Sequence, residues 1–168
     1  MKRFSQPGRK STVASAGLVF ALLISQESAC GQSSYDPMQA VARVEVKDDQ
    51  FTYDGRNVPL RLYVPDSSGP SPVLLLSHGL GGTREACTFL GKHWANRGYA
   101  VVAMQHAGSD FDVIRNAPRL KRFQVLKEAA SAANAKARNE DVKATIDFLE
   151  QQNLSGGKYA ERFDLTKI

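Results

Sequence analysis

The chain has 168 residues, 42% of them apolar, and 22 basic against 17 acidic side chains give it a formal charge of +5. The length gives room for one domain and the apolar share is enough for one core. The charge invites a nucleic-acid partner, but its location argues against one, because Lys2, Arg3, Arg9 and Lys10 are clustered at the very start.

Those four cations precede an apolar run from Val13 to Ile24, which gives way to small residues around Ser28-Ala29-Cys30-Gly31-Gln32. A basic start, a short apolar stretch and a small-residue exit make a secretory signal peptide over residues 1–31. The run is too short to span a bilayer comfortably, so no transmembrane span is expected in the mature chain. Removing the leader leaves 18 basic and 16 acidic residues, a net charge of +2. Ala29 and Gly31 suit an ordinary cut before Gln32, hence a periplasmic or secreted protein. The alternative is a lipoprotein anchored at Cys30, although Glu27 sits where that motif wants an aliphatic residue. Simple export leaves Cys87 alone, in an apolar helical pattern, where an inert thiol is expected.

Residues 32–42 read as a polar connector, and a domain is expected over 43–168. Val41 to Val46 alternates apolar and polar residues, as a half-exposed strand does. Asp54-Gly55-Arg56-Asn57 reads as a turn. Val58, Leu60, Leu62 and Val64 continue the alternation, so an antiparallel hairpin is expected, with Pro59 in an exposed or early position of its strand. After a Pro-rich loop, Val73-Leu74-Leu75-Leu76 reads as a strand buried on both faces, as in the middle of a parallel sheet. It runs into Ser77-His78-Gly79-Leu80-Gly81-Gly82.

A strand followed by such a Gly-rich turn presents backbone N–H groups to an anionic or polarised oxygen. Dinucleotide binding fits poorly: Gly79 and Gly81 match the first two glycines of G-x-G-x-x-G, but Arg84 occupies the third position. His78-Gly79-Leu80-Gly81 fits the H-G-x-G oxyanion turn of α/β-hydrolases at every position. There the Leu80 N–H would bind an ester carbonyl oxygen more tightly as charge develops on it. A turn that only packs strand against helix is the plainer alternative.

A helix is expected from Thr83 to Arg97, capped by Thr83, with Ala86, Phe89, Leu90, Trp94 and Ala95 near one face and Gly98 as its stop. Tyr99 to Met104 is a second apolar strand, parallel to the first by its helical crossover. The polar turn Gln105 to Asp110 then lies at a strand's carboxyl end, where open parallel sheets bind ligands. Phe111 to Arg119 reads as irregular. Leu120 to Ala137 is helical by propensity, a lid over the site or a solvated surface helix. Arg138 to Gln151 is expected as another helix with Val142, Ile146 and Leu149 on its buried face, before a loop to Phe163.

Four pieces together resemble the first half of an α/β-hydrolase, close to predicted bacterial dienelactone hydrolases and platelet-activating-factor acetylhydrolases. They are Asp54 to Leu60, Leu76 to Gly82, Arg97 to Val102 and Gln105 to Asp110. The resemblance covers about residues 43–168. It implies an incomplete α/β-hydrolase fold: an N-terminal hairpin, then parallel βαβ strands with flanking helices, ending at the nucleophile strand. It also implies hydrolysis of carboxylic esters of small molecules or lipids by a serine acyl-enzyme route.

No G-x-S-x-G elbow occurs in the chain. His78, His93 and His106 all precede the place of the nucleophile, whereas the family's order is Ser, acid, His. None is therefore expected as the catalytic base. Leu80 is expected as an oxyanion donor, with His78, Gly79, Gly81, Gly82 and His106 shaping the site. His93 is expected to be structural, and Ser77 and Ser109 lie in no elbow. The histidines are too scattered for a metal site, and no cofactor is expected. Whether the chain is an enzyme stays open: it reads as an exported hydrolase fragment that is inactive alone. The alternative is a non-catalytic truncated fold or a small-ligand-binding remnant.

Overall fold

The computed structural model describes residues 42–115 and 117–168. The expected signal peptide, the connector up to residue 41 and Cys30 lie outside the described residues. Among the described residues, five strands form one sheet in the order β1-β2-β4-β3-β5. They are β1 (Val44–Tyr53), β2 (Arg56–Pro65), β3 (Ser71–Ser77), β4 (Ala100–Met104) and β5 (Phe163–Asp164). β1, β2 and β4 are antiparallel neighbours, and β3 runs parallel to both β4 and β5.

The expected hairpin forms, with different bounds. The turn is only Asp54-Gly55, at φ 45° and 73°, the pair of positive angles that a two-residue hairpin turn requires. Arg56 and Asn57, expected in the turn, already pair with Tyr53 and Thr52. β1 runs to Tyr53 rather than stopping at Val46, although Asp48-Asp49-Gln50 interrupts its apolar alternation. Partners outside the strand satisfy those acids. Arg61 binds Asp48 with two 2.8 Å bonds, and Tyr159 Oη donates to Asp49 at 2.8 Å. Pro59 sits in an interior strand, where its missing donor falls just past the last β2–β4 pair, Leu60 with Met104. Its carbonyl still accepts from Gln105 N–H at 2.9 Å.

The period of two sorts the strand residues onto two faces. Val58, Leu60, Leu62 and Val64 of β2 join Ala100, Val102 and Met104 of β4 on one face, together with Leu149 and Phe163. Tyr63, Val101 and Ala103 occupy the opposite face with Ala95. β4 is buried at all five positions, as a strand covered on both sides must be. β3 is not: Leu74, Leu75 and Leu76 are half-buried. β5 pairs with it only at Ser71 and Pro72, and Val73 N–H donates to Lys167 O at 2.9 Å, so the open edge among the described residues begins after Val73.

Four α-helices are described, α1 (Thr88–Ala95), α2 (Asp112–Arg115), α3 (Arg122–Ala129) and α4 (Ala132–Asn153), with a 3-10 turn at Arg119–Lys121 leading into α3. α1 starts five residues later than expected. Arg84 N–H, an early donor for a helix beginning at Thr83, is instead taken by Gln105 Oε1 at 3.0 Å, and Thr83 accepts from Glu85 N–H in a local turn. α1 packs through Gly91 and Ala95, leaving Phe89 70% exposed rather than on the buried face. The chain leaves the helix through Gly98 at φ 90°.

The expected boundary between helices at residues 137 and 138 does not exist. The break lies at Ala130-Ser131, where Ser131 turns extended and its hydroxyl accepts from Asn134 N–H at 3.1 Å. Asn134 Nδ2 in turn donates to Ala129 O at 2.8 Å, satisfying the end of α3. The buried stripe of α4 is Asp141, Thr145 and Leu149, with Val142 and Ile146 only half-buried.

Candidate active site

β3 and β4 end side by side, and the turns that follow them are stitched together. Gly81 N–H donates to Ser109 O at 2.8 Å, and Phe111 N–H donates to Gly82 O at 2.9 Å. Gly81 holds φ 73°, and a Cβ there would lie 2.9 Å from Leu126 Cδ2 of α3. A Cβ on Gly82 would lie 3.0 Å from Gly79 O and 3.2 Å from His78 Cβ. The turn is thus tight at Gly81 and Gly82, two of the three glycines expected to shape it, while a Cβ on Gly79 would meet nothing within 4 Å; one side chain of α3 reaches the turn. Leu120 and Phe123, at 98% and 80% exposure, face solvent.

His78 locks the turn from inside. It is buried, its Nε2 accepts from His106 N–H at 3.0 Å, and its Nδ1 lies 2.7 Å from Gly79 O. Because Nε2 accepts, the ring proton sits on Nδ1 and is donated to that carbonyl. Gly82 N–H also donates to Gly79 O, at 2.9 Å. Gly79 and Leu80 stand exposed at the tip, Leu80 at 47%. Among the described residues, neither N–H of this pair has an acceptor. No helix starts at the turn, so no helix N-terminus faces it, which weighs against a dinucleotide phosphate site.

Behind the turn lies a polar network. His106, expected as a residue shaping the site, is fully buried and so acts from within. Its Nδ1 is 2.9 Å from Asp141 Oδ2 and its Nε2 is 2.9 Å from Ser77 Oγ. Asp141 is also fully buried. It accepts two bonds from Arg56, from Nε and Nη2 at 3.1 Å each, and another from Tyr53 Oη. Arg138 donates to Ser77 Oγ at 2.7 Å, to Ser109 Oγ at 3.0 Å and to His78 O.

Burial pushes the Asp141 carboxyl up, but hydrogen bonds from Arg56, Tyr53 and His106 outweigh it and hold the group below the usual carboxylate range. Burial pushes the His106 imidazolium down and prevails over its bond to Asp141. At neutral pH the order of donation therefore runs from Arg138 to Ser77, from Ser77 to neutral His106, and from His106 to ionised Asp141.

Tyr53, Arg56, Arg138 and Asp141 were not among the candidates read from the sequence. Arg138 and Asp141, three apart on a helix, shared a face, and that spacing was the available signal. His93 lies on α1, half-buried, with its ring edge-on to Trp94, in keeping with a structural part. Cys87 is half-buried and is a free thiol. No cluster of three potential metal ligands occurs among the described residues, and none of their helices is long and apolar enough to cross a membrane.

A cleft of about 580 Å³ is lined by Arg56, Arg84, Gln105, Asp110 and Arg115 among others and by no residue from Ser77 to Gly82. The space at Ser77 and His78 is only about 30 Å³. The described residues thus hold the tip of the turn in place without enclosing a substrate pocket around it.

The profile of the family described as platelet-activating factor acetylhydrolase, isoform II, matches residues 63–147, half of the chain and the part that carries the turn. The chain belongs to this family. No curated protein matches it. Among solved structures, it is similar to a protein from Klebsiella pneumoniae subsp. pneumoniae MGH 78578 predicted to be a dienelactone hydrolase. That match has 18% identity and a TM-score of 0.50, over 71% of this chain and 48% of that one. It is also similar to a cold-adapted esterase from an Arctic intertidal metagenomic library, with 22% identity and a TM-score of 0.47, over 64% of this chain and 45% of that one. The chain spans less than half the length of either, and the Klebsiella structure supports the α/β fold. As an acetylhydrolase-family chain it has the expected hairpin and parallel β3-α1-β4 crossover.

Proposed function

We propose that this chain is the N-terminal part of an exported serine hydrolase acting on carboxylic esters, and that Leu80 N–H is one of its two oxyanion donors. The observation that carries the reading is the Leu80 N–H itself. It has no acceptor among the described residues, and it sits at the tip of a turn that His78, Gly81 and Gly82 hold in shape. Donors held in place before charge develops stabilise a tetrahedral intermediate without reorganising. Family membership supports an ester substrate, of a small molecule or a lipid. The second donor, the serine elbow, the acid and the general base belong to a longer protein, so this chain alone turns over no ester. Export follows from the leader, with the mature chain beginning at Gln32.

The test is p-nitrophenyl butyrate hydrolysis by the protein extended through the coding sequence beyond Ile168 to a Gly-x-Ser-x-Gly strand. Leu80→Pro removes the N–H and is expected to lower kcat about 10²- to 10³-fold with little change in KM. Leu80→Ala keeps the N–H and is expected to keep the rate. A Leu80→Pro rate within threefold of the unaltered protein overturns the assignment. Absence of any elbow downstream overturns the catalytic reading and favours a non-catalytic remnant. The intact mass of the exported chain separates a cut before Gln32 from lipidation at Cys30.

A further inference from the structure

We infer that Ser77, through His106 and Asp141, is a second nucleophile contained wholly within this chain, one that accepts activated acyl or phosphonyl groups stoichiometrically. The inference goes beyond the ester-hydrolase reading and needs no elbow serine. It rests on one continuous set of bonds. Ser77 Oγ lies 2.9 Å from His106 Nε2, and His106 Nδ1 lies 2.9 Å from Asp141 Oδ2. A hydroxyl, an imidazole and a carboxylate in this order are the arrangement that activates a serine, whatever their order in the chain. The two supporting members are fully buried, while Ser77 is exposed. The base is thus held in a fixed tautomer and the attacking oxygen can be reached from solvent.

Two further features bear on reactivity. Arg138 donates to Ser77 Oγ at 2.7 Å, which stabilises the oxygen as it loses its proton and leaves it a second lone pair for attack. Burial keeps His106 neutral at pH 7, the form that accepts a proton. The sequence argued against Ser77 because it lies on a strand and not on a sharp elbow. The elbow's task is to expose the oxygen beside a base, and here the open end of β3 does the same.

The step balances as follows. Ser77 Oγ forms a bond to the carbonyl carbon or phosphorus. The bond to the leaving group breaks, and that group departs with its electron pair. The Oγ proton passes to His106 Nε2 and stays there, the imidazolium charge balanced by the Asp141 carboxylate. Because His106 is fully buried, its Nε2 can neither hand that proton to a poor leaving group nor activate a water against the resulting ester. The site is therefore restricted to leaving groups that depart as stable anions, such as fluoride or p-nitrophenolate, and the adduct accumulates. The adjoining space of about 30 Å³ offers little binding energy, so the reaction is slow and needs excess reagent.

The experiment uses this chain with an alkyl fluorophosphonate, read by intact mass and peptide mapping, alongside a p-nitrophenyl acetate burst. One adduct per chain is expected, mapped to Ser77, with a burst of one equivalent and no turnover. Ser77→Ala abolishes it, and Ser155→Ala, in an exposed loop, leaves it unchanged. Asp141→Asn slows labelling about 10²-fold or more, with the fold checked by circular dichroism. Mapping the adduct on the unaltered chain keeps the test independent of whether any variant folds. No adduct after prolonged incubation with a large excess of reagent overturns the proposal. So does an adduct elsewhere, or one at Ser77 whose rate in folded Asp141→Asn stays within threefold.

Discussion

Replacing Asp141 by alanine tests whether the buried network holds the fold together. The carboxylate accepts from Arg56 twice, from Tyr53 and from His106, and it is fully buried. Removing it leaves His106 Nδ1–H with no partner in a fully buried place, a loss of about 1–3 kcal/mol. It also leaves the Arg56 guanidinium without its counter-ion. Breaking a buried pair from one side costs about 3–5 kcal/mol, but the Arg56 side chain is 31% exposed and can rehydrate. The lower end of that range applies, so together with the unpaired His106 donor a total near 4–6 kcal/mol is expected. Asp48→Ala is the comparison. Its two bonds to Arg61 are shorter, at 2.8 Å each, yet the Asp48 side chain is 47% exposed, so it is expected to lose at most about 1 kcal/mol. Urea unfolding of both variants decides the matter. With a slope near 2 kcal/mol/M, Asp141→Ala moves the midpoint down by about 2–3 M and Asp48→Ala by about 0.5 M at most. Equal losses would refute the reasoning, because bond geometry would then outweigh burial.

Two further expectations concern pH and packing. His106 has its pKa lowered from 6.5, so the unfolded chain binds a proton first as pH falls; stability is fully present above about 6.5 and declines through the lower folded value. Asp141, lowered from 3.8, adds a second loss in the same direction as pH falls below about 4. The melting temperature is therefore expected to drop from about pH 7.5 to about pH 5, and a constant or rising value would contradict the neutral, buried His106. Gly91→Ala sets helix propensity against packing. The new Cβ would lie 2.5 Å from Tyr63 Cε2, and Tyr63 is fully buried with its hydroxyl held 3.0 Å from Thr88 Oγ1. Overpacking costs about 1–3 kcal/mol against a propensity gain of up to about 1. A net loss near 1 kcal/mol is expected in thermal unfolding, and a gain would show that the ring can move.

The sheet was legible because its residues are sorted by simple period. Val58 to Val64 alternates and pairs as a hairpin, and Ala100 to Met104 is apolar throughout and buried throughout. The His78 to Gly82 turn was legible because it needs glycine at Gly81, for a φ of 73°, and at Gly82, for its close approach to Gly79 O. Boundaries failed where side chains took up backbone groups near the helix ends. Residues 83–85 form a local turn held by Gln105 Oε1 and Thr83 Oγ1, and α1 begins only at Thr88. Asn134 and Ser131 closed one helix and opened the next in the middle of an alanine-rich stretch that propensity alone reads as continuous.

The network behind the turn was illegible for a different reason. Asp141 looks like a solvent-facing residue of a charged helix, next to Glu140 and Lys143. Its burial depends on Tyr53 and Arg56, on either side of the Asp54-Gly55 turn and more than 80 residues away. A buried carboxylate is tolerable only when its partners arrive together. Here they come from a hairpin and a strand end, and only the folded sheet brings both to the helix that carries Asp141. The same condition sets the expectation for Ser77. Viewed in sequence it is a serine at the end of a strand, and its reactivity rests on whether His106 and Asp141, both remote from it in the chain, are held against it in solution.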